Sequence, residues 1–342
     1  MEINNQQRNV VVIGGGPAGI EASRTLDAMG YTVFLIEKDN RLGGHLARWD
    51  RLFPYGDHAD EVLGRMTSSM GGVKWFTGTE VTQVNRLERG YNIILSNGIS
   101  VLADALLLTT GFSLFDASRK EEYGYGIYDK VITNADLEDY FSGIPVPAID
   151  SPKRIGFVHC VGSRDEKVGN RYCSKVCCAT AVKQACEIKQ QFPDAVVYCF
   201  YMDLRMFGRG YEDMYLEAQK KYGIIFVRGR VSEVSEDKDG CLFVKAEDTL
   251  SGKPLRVTLD LLVLMAGMTH NRAVEPVART LSLSTMEDGF LKPKDSLTDA
   301  QISYCTGVFY AGACTGPKTL PETVAEARSA AMNIHEYLQN ND

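Results

Sequence analysis

The chain of 342 residues has no apolar run approaching the ~20 residues that a bilayer-spanning helix needs. It also has no basic excess: 37 Lys and Arg stand against 44 Asp and Glu, a net charge of −7, so the electrostatic footprint of a nucleic-acid binder is missing. The start, Met1 to Asn9, is polar and runs straight into an apolar stretch without a secretory hydrophobic region. The expectation is therefore a cytoplasmic protein with no transmembrane segment and no nucleic-acid partner. There are no repeats or low-complexity segments. A Ser-His-Asp set, paired catalytic carboxylates and a His-rich metal site are all absent, with only 5 His in the chain. Hydrolytic chemistry thus has no visible apparatus.

What is present reads as an ordinary globular α/β chain, long enough for about two domains of roughly 100–200 residues each. Asn9 to Ile13 (NVVVI) is a β-branched run suited to a parallel strand buried on both faces. Gly14 to Gly19 then lead into a helix whose packed face is Ala18, Ala22, Leu26 and Met29; Gly30 ends it, and Thr32 to Ile36 is a second buried strand. That is a βαβ unit. Alternating segments near 73–84, 91–95 and 101–103 predict a small antiparallel sheet, and Leu106 to Thr110 another buried strand. Residues 116–150, rich in Tyr, Gly and Pro, read as a crossover to a second α/β set at 151–269. That set has strands near 154–159 and 195–201 and a helix over 175–191 between them. The first domain then covers 1–115 plus 270–342, closed by a helix over 319–338.

The turn Gly14-x-Gly16-x-x-Gly19 follows a buried strand, opens a helix and is answered by Glu37 at the end of the next strand. Each residue type has a physical task. Gly14 makes the tight turn, and Gly16 lets a pyrophosphate approach the backbone. Gly19 permits close helix–strand packing. Pro17 and Ala18 begin the helix, whose free N–H groups and positive dipole end suit a phosphate. Glu37 accepts from a ribose and repels a 2′-phosphate, with Lys38 beside it. Gly43 and Gly44 offer a second close backbone approach. Thr110 and Gly111 end a buried strand, and Gly312 and Ala313 end another just before a helix starting at Pro321, Glu322 and Thr323. These later elements favour FAD over NAD.

Nine cysteines are many for a cytoplasmic chain, and four crowd into nineteen residues: Cys160, Cys173, Cys177 and Cys178. They follow the strand 154–158, where a second glycine fingerprint would be expected and none is found. The spacing C-x12-C-x3-C-C suits one iron–sulfur cluster, a soft-ligand centre moving single electrons. Structural zinc, which favours C-x2–4-C knuckles, and a redox dithiol are the alternatives. Cys177 and Cys178 are adjacent and would diverge by about 100° within a regular helix. They require an irregular backbone, or a helix that begins after them.

The nucleotide motifs resemble the two-dinucleotide-binding-domain flavoproteins, the thioredoxin-reductase-like group, which implies two Rossmann-like domains. In that group the late strand–Gly element contacts the ribityl chain, and Val81 also falls at a cofactor position. The group usually has Asp where this chain has Ala313. Longer motifs, FVHCVGSRDEKVGNRYCSKVCCATAVKQA, YMDLRMFGRGYEDMY, EYGYGIYDKVIT and GVFYAGACTGPKTLPETVAEA, resemble the heterodisulfide reductase A-subunit family over nearly the whole chain. That resemblance implies FAD and one [4Fe-4S] cluster on Cys160, Cys173, Cys177 and Cys178. The chain contains no C-x2-C-x2-C ferredoxin run, and so is most similar to the short A-subunit form found in heterodisulfide reductase-like complexes of sulfur oxidisers. The implied partners are the other subunits of such a complex, a second copy in a homodimer, and lipoyl- or sulfur-carrier proteins.

Among the remaining residues, Lys318 and Cys314 are candidates for tuning the flavin, and His159 for tuning the cluster. His45 adjoins Gly44. Arg205 and Arg209 are placed to offset cofactor charge. Cys186, about 12 Å along a helix from Cys178, reads as core, as do Cys199 and Cys241.

Overall fold

A computed structural model describes residues 8–341; the polar start Met1 to Asn9 therefore lies, but for its last two residues, outside the described ones. The chain divides into two compact units. One takes the chain up to Ala47, then Asp60–Ser113 and the chain from Thr269 onward; the other takes Arg48–Ala59 and Leu114–Met268.

The first unit is built on a five-stranded parallel sheet in the order Val308–Tyr310, Ala105–Leu108, Asn9–Ile13, Thr32–Ile36, Lys74–Phe76. Val10, Val11 and Val12 are completely buried in its centre, each side chain contributing roughly 1.5–3 kcal/mol. Lys74–Phe76 joins this parallel sheet rather than the antiparallel one expected of it. The antiparallel sheet begins instead at Val81–Arg86, followed by Tyr91–Leu95 and Ser100–Ala103. Helix Pro17–Ala28 starts from extended Gly16 with Pro17 in its first turn and buries Ala18, Ala22 and Leu26. Its buried Glu21 binds Arg24 at 2.7 Å and Arg328 of the closing helix, Leu320–Gln339, at 2.5 Å.

The second unit repeats the plan. Its parallel order is Val131–Thr133, Leu261–Ala266, Arg154–Val161, Val196–Tyr201, Ile225–Arg228. Residues 116–150 are thus not a crossover. Val131–Thr133 is an edge strand of this sheet, and Thr133 and Asp136 form a capping box on helix Asn134–Phe141. Residues 48–59, expected in the first domain, belong here too. The Asp50 amide donates to Glu138 Oε2 at 3.1 Å, and the Phe53 ring packs edge-on against Tyr211 at 5.9 Å. A second antiparallel sheet, Val231–Glu236, Leu242–Asp248 and Lys253–Leu259, was not expected. Among the described residues no helix is long and apolar enough to cross a membrane.

Helix Cys177–Gln191 carries a buried polar cluster against helix Asn134–Phe141. Lys183 Nζ lies 2.6 Å from Glu138 Oε1 and 3.2 Å from Glu187 Oε2, and Gln184 Nε2 donates to Glu138 Oε1 at 2.7 Å. Burial pushes the Glu187 carboxyl up to about 7, and the Lys183 ammonium offsets this only in part. The folded chain then holds a proton that the unfolded chain releases near the ordinary value of 4.5. Stability contributed by this group therefore falls as pH rises from about 4.5 to about 7. Glu187→Gln is expected to raise unfolding free energy at pH 8 by on the order of 2 kcal/mol and to leave it nearly unchanged at pH 5. Urea unfolding of both proteins at the two pH values checks this; equal effects at both would contradict it.

Candidate functional site

In the first unit the glycine turn packs closely on its strand and leaves open space at the start of its helix. Gly14 has φ +112°, and a methyl group there would lie 2.4 Å from the Thr109 carbonyl oxygen. At Gly19 it would lie 1.9 Å from the Gly14 carbonyl, so helix and strand meet at a spacing only glycine permits. Over Gly16 there is nothing within 4 Å. The helix that starts at Pro17 has no side-chain cap and no acidic residue in its first turn, so its first amides face that open space. Glu37 is buried and accepts from the Gly15 amide at 2.6 Å and the Asp39 amide at 2.8 Å. These bonds hold its carboxylate beside the turn. Lys38 points away, half-exposed and 3.6 Å from Asp39. The second glycine pair closes over the first: the Gly43 amide donates to Gly15 O at 2.7 Å, and a Gly44 methyl would lie 3.3 Å from the Gly16 Cα.

Further elements of the same unit flank this turn. The Thr110 hydroxyl is buried without a hydrogen-bond partner, and Gly111, φ +66°, has open space above it. Gly312 packs on Ala18 and Thr323, and its amide donates to Glu326 Oε2 at 3.2 Å. Ala313 itself is buried. The helix holding Pro321 and Thr323 is capped by a Thr319–Glu322 box. Glu326, held above its ordinary range by burial, had drawn no notice in the sequence. Lys318 Nζ bonds Thr315 Oγ1 at 2.7 Å and lies 3.4 Å from Glu326. Val81 starts the antiparallel strand two residues after Thr79, whose amide donates to Glu37 O. His45 stacks on Phe112 and bonds its carbonyl. The Cys314 thiol is buried and donates to Leu108 O and Ala311 O, both at 3.3 Å, and burial pushes it up to about 12.

In the second unit the strand Arg154–Val161 does not continue regularly. Its pairing with Leu261–Ala266 shifts between Val158 and Val161, and Cys160 adopts φ +61°. Regular alternation would put Cys160 on the same face as Val158, yet Val158 packs into one hydrophobic cluster and Cys160 into the other, with Phe157 and the helix Cys177–Gln191. The bulge re-aims the side chain. That helix starts at Cys177, not Lys175, because Lys175 is itself left-handed at φ +64°. Both Cys177 and Cys178 therefore stand in its first turn, where unpaired amides and the dipole favour anionic sulfur. Cys160 Sγ lies 3.9 Å from Cys177 Sγ. Cys173 is not gathered with them; its Sγ accepts from the Lys175 amide at 3.3 Å.

A hydrogen bond from Cys177 brings the Cys160 thiol down to about 7. The same neighbour, aided by His159, lowers Cys178, while Cys177 keeps its proton well above the ordinary range. The Arg205 backbone also favours the Cys178 thiolate, and Cys178 donates to Asp203 O at 3.6 Å when protonated. Arg209 is not at the thiols; its carbonyl accepts from Tyr55. Three left-handed non-glycine residues, Cys160, Arg164 and Lys175, fall within this short stretch, a concentration of strain typical of functional sites. The loop is anchored by Asp165, buried and bound to Lys120 at 2.7 Å and Arg230 at 2.9 Å. Both His159 ring nitrogens, Ser163 Oγ and Arg164 Nη1 are buried with no hydrogen-bond partner. Ser163, Arg164 and Asp165 were missed from sequence, though they adjoin the cysteines. Among the described residues no His, Cys, Asp and Glu group of three or more is set to hold a single metal ion. Cys186 and Cys199 are raised by burial and stay in the core.

Residues 8–136 match the family model described as pyridine nucleotide-disulphide oxidoreductase. The whole chain follows the thioredoxin-reductase fold. It superposes on the enzymes of Lactococcus lactis and T. acidophilum with TM-scores of 0.70 and 0.67, covering 98% of this chain and 100% of each, at 17% identity. Among curated proteins it is 32% identical to the first of the CoB--CoM heterodisulfide reductase iron-sulfur A-subunits of Methanopyrus kandleri, over 95% of this chain and 63% of that one. It is 30% identical to the A-subunit of the H(2)/formate:CoB-CoM heterodisulfide,ferredoxin reductase of Methanococcus maripaludis, over 96% and 64%. The chain thus carries an oxidoreductase domain of the pyridine nucleotide-disulphide class. In particular, its curated homologues at about 30% identity over most of the chain are heterodisulfide reductase A-subunits, of whose length the chain spans less than two thirds. The first alignment runs over 422 positions against 342 residues here, so that relative has additional residues inside the matched region.

The glycine turn yields a direct test. Gly14→Ala meets both a forbidden φ and the Thr109 carbonyl, and is expected to weaken flavin binding at least about tenfold, roughly 1.4 kcal/mol. The flavin-to-protein absorbance ratio after gel filtration measures it.

Proposed function

We propose that this chain is an FAD- and iron–sulfur-containing electron-transfer subunit of a heterodisulfide reductase-like complex. The observation that carries the reading is the exchange of chemistry between two like folds. The first unit keeps the glycine turn after its central strand, and the second puts bulged Cys160 and helix-starting Cys177 and Cys178 at the equivalent place. FAD would be held by Gly14, Gly16 and Gly19 at the phosphates, Glu37 at a ribose, and the Thr110–Gly111 and Gly312–Ala313 elements along its length. The open space at Gly16 and the orphaned Thr110 hydroxyl support this fit. Cys160, Cys173, Cys177 and Cys178 would hold one [4Fe-4S] cluster. Supporting it are thiolate-favouring surroundings, a helix N-terminus and buried polar atoms left without partners. When bound, the flavin supplies two-electron chemistry and the cluster single-electron transfer.

The chain's own part is to fix these groups and exclude solvent from the cysteine sulfurs, which are buried at Cys160, Cys177 and Cys178. The sulfur chemistry itself belongs to partner subunits, in a complex that oxidises sulfane sulfur, delivered on lipoyl- or sulfur-carrier proteins, to sulfite in the cytoplasm. The chain works there as a homodimer. One observation favours a second reading: Cys160 and Cys177, 3.9 Å apart with one thiol lowered, also suit a redox dithiol. That reading makes the chain a self-sufficient NAD(P)H-dependent disulfide or persulfide reductase.

Anaerobic purification with iron, acid-labile sulfide and EPR analysis separates the two. The cluster reading expects about four irons per chain, lost in Cys177→Ser while flavin stays bound, and no flavin bleaching by NADH. Less than about one iron per chain, with rapid bleaching by NADH, would overturn it in favour of the dithiol.

A further inference from the structure

The cysteine loop holds polar groups that its own fold leaves unsatisfied. His159 is 7% exposed, and neither ring nitrogen has a hydrogen-bond partner. The same bulge that turns Cys160 sets His159 beside Cys178, with the Tyr201 ring tilted 6.4 Å away. Arg164 is held left-handed at φ +53°, its amide donating to Tyr172 O at 2.8 Å. Its Nη2 pairs with Asp203 at 2.7 Å, Nη1 is buried without a hydrogen-bond partner, and Cys160 lies beside the guanidinium. A buried donor without an acceptor costs about 1–3 kcal/mol, and one such group lies beside each of Cys178 and Cys160. The groups facing them are the thiols themselves, Cys178 beside His159 and Cys160 beside Arg164.

We infer that His159 and Arg164 are positioning residues that donate hydrogen bonds to the sulfur atoms of the cluster and so raise its reduction potential. This rests on the iron–sulfur reading of the block. The physics is direct: reduction adds negative charge to the cluster, and N–H donors aimed at its sulfurs stabilise the reduced state more than the oxidised one. Arg164 adds a full positive charge in a buried setting, and His159 adds a neutral donor. Together they make the centre an acceptor for electrons arriving from a flavin rather than a strong low-potential donor.

Redox titration of the cluster EPR signal in the holoprotein tests the inference. His159→Phe, which keeps the ring and removes the N–H, is expected to shift the reduction equilibrium at least about threefold toward the oxidised form, roughly 30 mV at about 59 mV per decade for one electron. His159→Gln, which retains an N–H donor, restores most of the shift. Arg164→Met moves the potential in the same direction, and Arg164→Lys moves it less. In wild-type protein labelled with 15N-histidine, a nitrogen hyperfine coupling to the reduced cluster is expected and should vanish in His159→Gln. A cluster present at full iron content with unchanged potentials in His159→Phe and Arg164→Met overturns the inference. So does a wild-type cluster without nitrogen coupling, which answers the question should His159→Phe lose its iron. A wild-type chain with no iron at all defeats instead the reading on which the inference stands.

Discussion

The bulge at His159 and Cys160 is the constraint on which the second unit's chemistry depends. A parallel strand places alternate residues on opposite faces, and a regular run through Arg154–Val161 would send Cys160 to the face of Val158, away from the cysteine helix. The left-handed Cys160 breaks the alternation and brings one thiol within 3.9 Å of Cys177. Such a backbone is costly for a residue with a side chain, of order 1–3 kcal/mol. It persists because neighbouring bonds over-determine it. Buried Asp165 ties the following loop to buried Lys120 and half-exposed Arg230. On the other side, Ser174 accepts from the Met268 amide, and Gly267 leaves just enough room for that serine.

The two units show how one architecture carries unrelated chemistry. Both place a buried central strand before a turn and a helix, so both aim helix amides at the strand's end. In the first unit the turn is short and made of glycines, and a phosphate is the natural guest for neutral, unpaired N–H groups. In the second, a loop from Gly162 to Val176 replaces it and fills the same kind of space with soft donors. A phosphate would there meet thiolates, which repel it, and a metal centre would meet its ligands. The electrostatics of each helix N-terminus are alike; the side chains in front of it decide what binds.

The end of the first unit where we propose the flavin shows a comparable substitution on a smaller scale. Ala313 removes a carboxylate that thioredoxin-reductase-like sequences usually place next to Gly312, and Glu326 from the closing helix supplies one to the Gly312 amide instead. Its pairing with Lys318 keeps both charges partly buried and mutually offset.

The sequence by itself determined the parts governed by local rules. Continuous apolar runs marked the buried parallel strands, alternating ones the small antiparallel sheet, and Gly14 and Gly19 marked a turn with no room for a side chain. Cys160, Cys173, Cys177 and Cys178 stood out because clustered thiols in a cytoplasmic-type composition are rare. Tertiary structure alone decided the rest. Whether residues 48–59 and 116–150 belonged to one unit or the other depended on Asp50, Phe53 and Val131 finding partners distant in sequence. The alternation of Val231, Val234, Leu242, Val244, Val257 and Leu259 was legible as strands and was not read as such. Cys314, two residues from Gly312, is buried and bonded to the Leu108 and Ala311 carbonyls. Above all, the facing of Cys160 follows from a single irregular residue. A left-handed non-glycine conformation has no local sequence signature; it is imposed by long-range packing.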